Sequence, residues 1–229
     1  MSDPRDAEKQ AAGEAAAELV QDGMAVGLGT GSTATWMIAA LGRRVQAGLS
    51  IVGIPTSERS AAQARSLGIP LITFADRPRL DLTIDGADEI ARGSLNLIKG
   101  LGGALLREKL VAAASDRLVI VGDQGKLVDQ LGATPVPVEV VEFGWQTTRA
   151  RIEAMGGRLA LRMGADTPFR TDGGNLILDC AFGPIADPAA LEMRLNATLG
   201  VIATGLFVGM AQSAYVAGPD GVRVLSSES

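Results

Sequence analysis

Through the first half of the chain, short apolar runs alternate with helix-forming stretches, and few folds accept that alternation. Runs at residues 25–28, 51–54, 71–74, 82–84 and 118–121 read as buried strands. Helical stretches lie between them at 33–41, 57–67 (closed by Gly68) and 104–114. A first helix, capped by Ser2 or Asp3 with Pro4 in its first turn, is expected to run to about Val20. Strands separated by helices pair in parallel, so the expected fold is α/β, with a Rossmann-like parallel sheet.

The texture changes after about Gly132. Pro135-Val-Pro-Val-Glu-Val140 alternates but carries prolines, which suits a crossing or edge segment. A helix near 145–155, strands near 158–161 and 175–179, and a helix at 188–199 follow. That β-α-β-β-α-β order predicts a second, smaller α+β domain of ferredoxin-like type, which residues 201–207 close. Strands at 214–216 and 222–225 are expected to return to the first sheet. The expected division is therefore 1–132 plus 208–229 for the larger domain and 133–207 for the smaller one.

Composition removes several function classes. No histidine is present, so Ser-His-Asp and Cys-His catalysis are excluded, as are zinc sites that need imidazole. A general base must come chiefly from Asp, Glu or Lys. Aromatic residues make up 3 % of the chain and the net charge is −5, which disfavours a nucleic-acid partner. The single cysteine, Cys180, forbids an intrachain disulfide; it fits a reducing cytoplasm and suits a small buried apolar position. The N-terminus lacks a secretory pattern. Residues 196–219 carry no charge, but glycines and hydroxyl residues interrupt them, so buried strands with a turn fit better than a membrane span.

Three glycine-punctuated segments supply chemistry. Gly27-Leu-Gly-Thr-Gly-Ser-Thr33 joins a strand to a helix, placing free N–H groups and the hydroxyls of Ser32 and Thr33 where a phosphate could sit. It lacks the lysine of a nucleotide P-loop and the third glycine of a dinucleotide fingerprint. Asp85-Gly-Ala-Asp-Glu89 puts two carboxylates, three residues apart, at the carboxyl end of a strand. Lys99-Gly-Leu-Gly-Gly-Ala-Leu-Leu-Arg-Glu-Lys109 offers a lysine, pliant backbone and, in a helix's second turn, Glu108. Partly desolvated, Glu108 could act as a base. Each segment alone also suits an ordinary turn, and Glu108 alone suits the surface of a charged Arg107-Glu108-Lys109 triplet. Lys126 follows a strand and Lys9 lies on the first helix; both suit either phosphate pairing or a solvated surface. Thr56-Ser57-Glu58 reads as a capping turn.

Taken in order, these segments resemble the ribose-5-phosphate isomerase type A family, along nearly the whole chain. Pro135-Val-Pro-Val-Glu-Val140, Thr171-Asp-Gly-Gly-Asn-Leu-Ile-Leu-Asp179 and Gly200-Val-Ile-Ala-Thr-Gly-Leu-Phe207 extend the likeness. Relatives often read Lys-Gly-Gly-Gly-Ala where this chain carries Leu101 and Gly103, a change of loop shape that removes no charged group. The resemblance implies interconversion of ribose 5-phosphate and ribulose 5-phosphate in the pentose phosphate pathway. It implies no metal or organic cofactor, and a small domain that helps form a homodimer. It assigns Glu108 as the base, and Lys99 with the amides of Gly100, Leu101 and Gly102 as stabilisers of the enediolate oxygen. Asp85 and Asp88, with Gly86 and Ala87 between them, would bind the sugar hydroxyls and assist ring opening. Thr30, Gly31, Ser32, Thr33 and Lys126, with Lys9, would hold the phosphate. The alternatives are a non-catalytic sugar-phosphate sensor, for which no output module is present, and a sugar-phosphate deaminase or coenzyme A transferase-like enzyme. A nicotinamide dehydrogenase fits least, because its fingerprint is incomplete.

Overall fold

The computed structural model describes residues 5–227. The first half of the chain runs α1 (Asp6–Ala17), β1 (Ala25–Leu28), α2 (Ser32–Gln46), β2 (Val52–Pro55), α3 (Glu58–Ser66), β3 (Leu82–Gly86), β4 (Glu89–Ala91), β5 (Leu97–Ile98) and α4 (Leu105–Ala113). Then come β6 (Leu118–Asp123), a 3-10 turn (Gln124–Lys126), β7 (Leu127–Val128), β8 (Val136–Val140), α5 (Trp145–Glu153), β9 (Arg158–Leu161) and β10 (Leu176–Ala181). The last elements are α6 (Pro188–Asn196), β11 (Val201–Thr204), β12 (Leu206–Phe207), β13 (Ser213–Gly218) and β14 (Gly221–Ser226).

The largest sheet has the order β14-β13-β6-β3-β1-β2. All its pairings are parallel except β13 with β14. The chain steps outward from β1 to β2 and then returns past β1 to β3. That reversal opens a crevice at the carboxyl ends of β1 and β3. On one face α1 and α2 bury Ala12, Ala16, Met37 and Leu41 against Val26, Ile84 and Val119. On the other face Val111 of α4 meets Ala25, Ile54 and Leu80.

β1 carries nothing larger than Ala25 on that second face, and Gly27 and then Gly29 follow it. A Cβ on Gly27 would stand 2.6 Å from Val111 Cγ1, and one on Gly29 would stand 2.5 Å from Asp85 Cα. Glycine at both positions lets α4 approach the sheet and leaves room for Asp85 behind the turn that follows β1.

The second sheet, β11-β8-β10-β9, is antiparallel throughout. With α5 and α6 it forms the smaller α+β domain in the ferredoxin-like order. Cys180 lies in its core with Val136, Val138, Leu178, Ile152 and Leu195. Its opposite face lays Ile177 and Ala203 on Leu105, so α4 is held between the two sheets.

A third sheet, β12-β5-β4-β7, has strands of only two or three residues and was not foreseen from the sequence. Strands this short leave no readable period. It nevertheless pins the chemistry. β4 starts one residue after Asp88, β5 ends at the residue before Lys99, and β7 starts at the residue after Lys126.

Several expectations need correction. The proposed cap and first turn at Ser2, Asp3 and Pro4 lie outside the described residues. α1 stops at Ala17 rather than near Val20, because Leu19 and Val20 donate to Ala16 and Ala17 in a tightened last turn. Residues 71–74 make one bridge, from Leu71 to Gly53, and no strand. Asp76 accepts from both the N–H and the hydroxyl of Thr73 and turns the chain there. α2 runs on to Gln46, past Gly42, where Leu67 leaves no room for a Cβ. β8 is an interior strand, not an edge. Pro137 fits because β11 ends beside it: Gly205, just past β11, donates to its carbonyl at 2.7 Å. Its missing donor points to the same side, where no strand partner remains.

Gly205 joins the second and third sheets, since its carbonyl also accepts from Lys99 N–H at 2.8 Å. An added Cβ would stand 2.7 Å from Pro137 Cδ and press on the Lys99 carbonyl, neither of which can swing away. Gly205→Ala is expected to lower stability by about 1–3 kcal/mol, measured by urea unfolding. It should lower activity by more than its stability loss explains, because the displaced backbone carries Lys99.

Candidate active site

Lys99 is the centre. It is 2 % exposed, at the end of β5, and reaches back under the β3 carboxyl end. Its Nζ lies 3.1 Å from Asp85 Oδ2 and 3.2 Å from Glu108 Oε1, and it donates to the Gly86 carbonyl. Asp85 and Glu108 are themselves 1 % and 4 % exposed. Asp85 Oδ1 accepts from the N–H of Thr30 at 2.9 Å and of Gly86 at 2.8 Å. Asp85 therefore spends its oxygens on the two loops and on Lys99, and it stands behind the cleft wall.

Glu108 differs. Its Oε1 meets Lys99, and its Oε2 has no hydrogen-bond partner among the described residues. It lines the cleft. The charged triplet is resolved by helix geometry, since three successive residues face three directions. Arg107 turns to Glu58 at 2.8 Å and to Asp172 at 3.3 Å, and Lys109 turns to the Leu206 carbonyl at 2.6 Å and to Glu192. Glu108 is left facing inward.

Burial sets the protonation. Loss of water pushes the Glu108 carboxyl up to about 8; Lys99 opposes the rise, and Asp85 and Asp88 add to it. Burial likewise raises Asp85, against Lys99 and the two amides. Burial works against the Lys99 ammonium too, but Asp85 and Glu108 outweigh it and hold Lys99 above the usual lysine range. One cation thus serves two carboxylates, and the spare negative charge makes Glu108 ready to take a proton.

The rest of the cleft is formed by Thr30, Gly31, Ser32, Thr33, Gly86, Ala87, Asp88, Gly100, Gly102 and Lys126. Gly31, at φ 116°, caps α2 without a side-chain hydrogen bond, so the first-turn N–H groups of Ser32 and Thr33 open into the cleft beside Lys126. Asp88 accepts from Leu101 N–H at 2.9 Å through Oδ2.

Thr30 lines the cleft as foreseen, and Leu101 reaches Asp88 through the N–H expected of it. The Leu101 side chain is exposed and contributes only backbone. Lys9 is not part of the cleft wall; on α1, its Nζ lies 3.7 Å from Asp6 Oδ1. The Thr30 hydroxyl turns away, toward Thr56 at 2.7 Å, Ser57 at 2.8 Å and Ser60 at 3.1 Å. Ser57 caps α3 as expected, accepting from Ser60 N–H at 3.1 Å. The hydroxyl cluster ties that cap to the turn after β1, a link that no local pattern could reveal. Gly103 follows from the neighbouring domain: a Cβ there would fall 2.6 Å from Phe169 Cε1. Among the described residues, no group of three His, Cys, Asp or Glu side chains could hold a metal ion. No described helix is long and apolar enough to cross a membrane.

Comparison with known proteins agrees on one family. The family model for ribose 5-phosphate isomerase A (phosphoriboisomerase A) matches residues 52–221. The chain is 60 % identical over 220 residues to ribose-5-phosphate isomerase A of Synechococcus sp. (strain JA-3-3Ab), covering 95 % of this chain and 96 % of that one. It is 58 % identical over 219 residues to the protein of the same name from Gloeobacter violaceus, covering 95 % of each. The solved structure of ribose 5-phosphate isomerase A from Methanocaldococcus jannaschii superimposes with a TM-score of 0.94 at 37 % identity, over 97 % of this chain and 100 % of that one. A D-ribose-5-phosphate isomerase in complex with phospho-erythronic acid gives a TM-score of 0.93 at 37 % identity, over 96 % and 98 %.

Lys99→Met would strand two buried carboxylates without a cation. The expected cost is about 3–5 kcal/mol by urea unfolding at pH 8. The cost should shrink at pH 5, where the native carboxyls, already raised and now lacking their cation, take up protons.

Proposed function

This chain belongs to the ribose 5-phosphate isomerase A family and interconverts ribose 5-phosphate and ribulose 5-phosphate, and we propose that Glu108 carries the proton between C1 and C2. The observation that supports this reading is the unpartnered Glu108 Oε2, buried on the cleft wall beside Lys99. In the open-chain aldose, Glu108 takes the proton from C2. The C2–H electron pair forms the C1–C2 double bond, and the carbonyl electrons move onto O1. Lys99 and the Gly102 amide stabilise that enediolate oxygen, whose charge is absent from the ground state. Glu108 then returns its proton to C1 while the proton on O2 passes to O1, so that C2 becomes the ketone carbon and O1 the new hydroxyl. Asp88, which faces the cleft, assists ring opening and the movement of protons between oxygens. Asp85 holds Lys99 and the two loops. Ser32, Thr33 and Lys126 hold the phosphate, far enough from the reacting carbons to orient without reacting.

The same reading extends to the whole chain. We propose that residues 133–207 belong to the smaller domain and, among the described residues, 5–132 with 208–227 to the catalytic one. We infer a homodimer from the exposed apolar side chains of Phe143, Met193 and Leu199 on the smaller domain, which are 96, 67 and 78 % accessible. A cytoplasmic location is inferred from the lone, buried Cys180.

Glu108→Gln keeps the shape and removes the base. It is expected to lose at least about 100-fold in kcat with its unfolding midpoint retained. Proton NMR of ribose 5-phosphate in heavy water checks it: wild type exchanges the proton at C2 during turnover, and an E108Q protein that does so at the wild-type rate refutes the assignment.

The pH dependence follows from the raised carboxyl. The free enzyme is active with Glu108 ionised, so kcat/KM should rise with pH toward a limb near 8, well above the ordinary glutamate value of 4.5. No alkaline fall is expected until Lys99 deprotonates, above the usual 10.5. A kcat/KM profile that is flat from pH 5 to 9 would contradict the assigned environment.

A further inference from the structure

The loop that follows Lys99 is held from outside by the smaller domain. Arg162, one residue past β9, forms a two-pronged pair with Asp179 on β10, with Nε 2.9 Å from Oδ2 and Nη2 on Oδ1. Its remaining nitrogen, Nη1, donates to two successive carbonyls, Gly100 at 2.8 Å and Leu101 at 3.1 Å. The guanidinium stands 5.9 Å from the centre of the Phe169 ring, which fills the space beside Gly103.

We propose that Arg162 is a positioning residue for the isomerisation, acting across the domain boundary by fixing two peptide planes of the Gly100–Gly103 loop. In a trans peptide the carbonyl and the following N–H point in opposite directions. Drawing the Gly100 carbonyl outward turns Leu101 N–H inward, where it meets Asp88 Oδ2 at 2.9 Å. Drawing the Leu101 carbonyl outward turns Gly102 N–H the same way. That N–H has no acceptor among the described residues, and Gly102 lines the cleft. A planar fork anchored on both sides by Asp179 can hold two neighbouring carbonyls, which a lysine ammonium cannot do while keeping the same anchor. Gly100, at φ 103°, and Gly103, at φ 82°, give the loop its turn, which the Gly103 N–H closes on the Gly100 carbonyl at 3.0 Å; that bond leaves the Leu101 carbonyl, and with it the Gly102 N–H, to be fixed by Arg162. The inference rests on the reading of this loop as the stabiliser of the enediolate.

The test is steady-state kinetics on Arg162→Ala, Arg162→Lys and Asp179→Asn, with guanidinium chloride added at millimolar concentration to R162A. A donor made only in the transition state acts on kcat. R162A is expected to lose about 10- to 100-fold in kcat with KM changed less than threefold. Lysine should fail to restore it, D179N should fall between, and guanidinium should recover part of the R162A loss where equal ammonium chloride does not. If R162A keeps wild-type kcat, or loses it only in step with its unfolding midpoint and without rescue, the proposal is overturned. Should E108Q prove inactive while R162A is fully active, only this inference fails. An active E108Q removes the reading beneath it.

Discussion

A single ammonium group shared between two buried carboxylates is the constraint on which the structure turns. Lys99, Asp85 and Glu108 lie out of water, where each charge alone would be costly. Their mutual attraction makes the trio tolerable only while separations stay near 3 Å. Much of the surrounding backbone serves that separation. Gly29 clears space for Asp85, Gly205 anchors the Lys99 backbone, and the small third sheet sets where both loops start and stop.

The trio also explains why the site needs two domains. α4 carries Glu108 and is wedged between the parallel sheet, through Val111, and the smaller domain, through Leu105. A shift of one sheet against the other would move the base relative to Lys99, which hangs from the third sheet. Arg107 reinforces the junction by reaching Glu58 on α3 and Asp172 on the smaller domain. Arg162 and Phe169 complete it by gripping the loop between Lys99 and α4. The electrostatics of the site and the packing of the two domains are thus one mechanical problem. A base raised by burial is useful only if the burial is rigid.

What could be read without coordinates had local causes. β1 and β9 were read at their observed bounds, because apolar runs and the glycines and charges that end them are local features. The split α+β order was legible for the same reason. The Pro135–Val140 segment misled because proline reports a missing donor, not whether a neighbouring strand still needs one. Residues 71–74 misled because an apolar run says nothing of the Asp76 side chain that ends it. Lys9, weighed as a phosphate partner from its charge and from the resemblance, is not among the residues that line the cleft.

By itself the sequence determined the inventory and its order: no histidine, three glycine-rich turns after strands, and carboxylates and lysines near them. Those follow from residue type and from spacing along the chain, and they suffice for the class of fold and the class of chemistry. Only the tertiary structure decided which aspartate faces the cleft, which member of the Arg107-Glu108-Lys109 triplet turns inward, and that Arg162, far along the chain, grips the loop beside Lys99. Those outcomes depend on desolvation and on hydrogen-bond geometry between residues distant in sequence, and neither exists until the chain has closed around them.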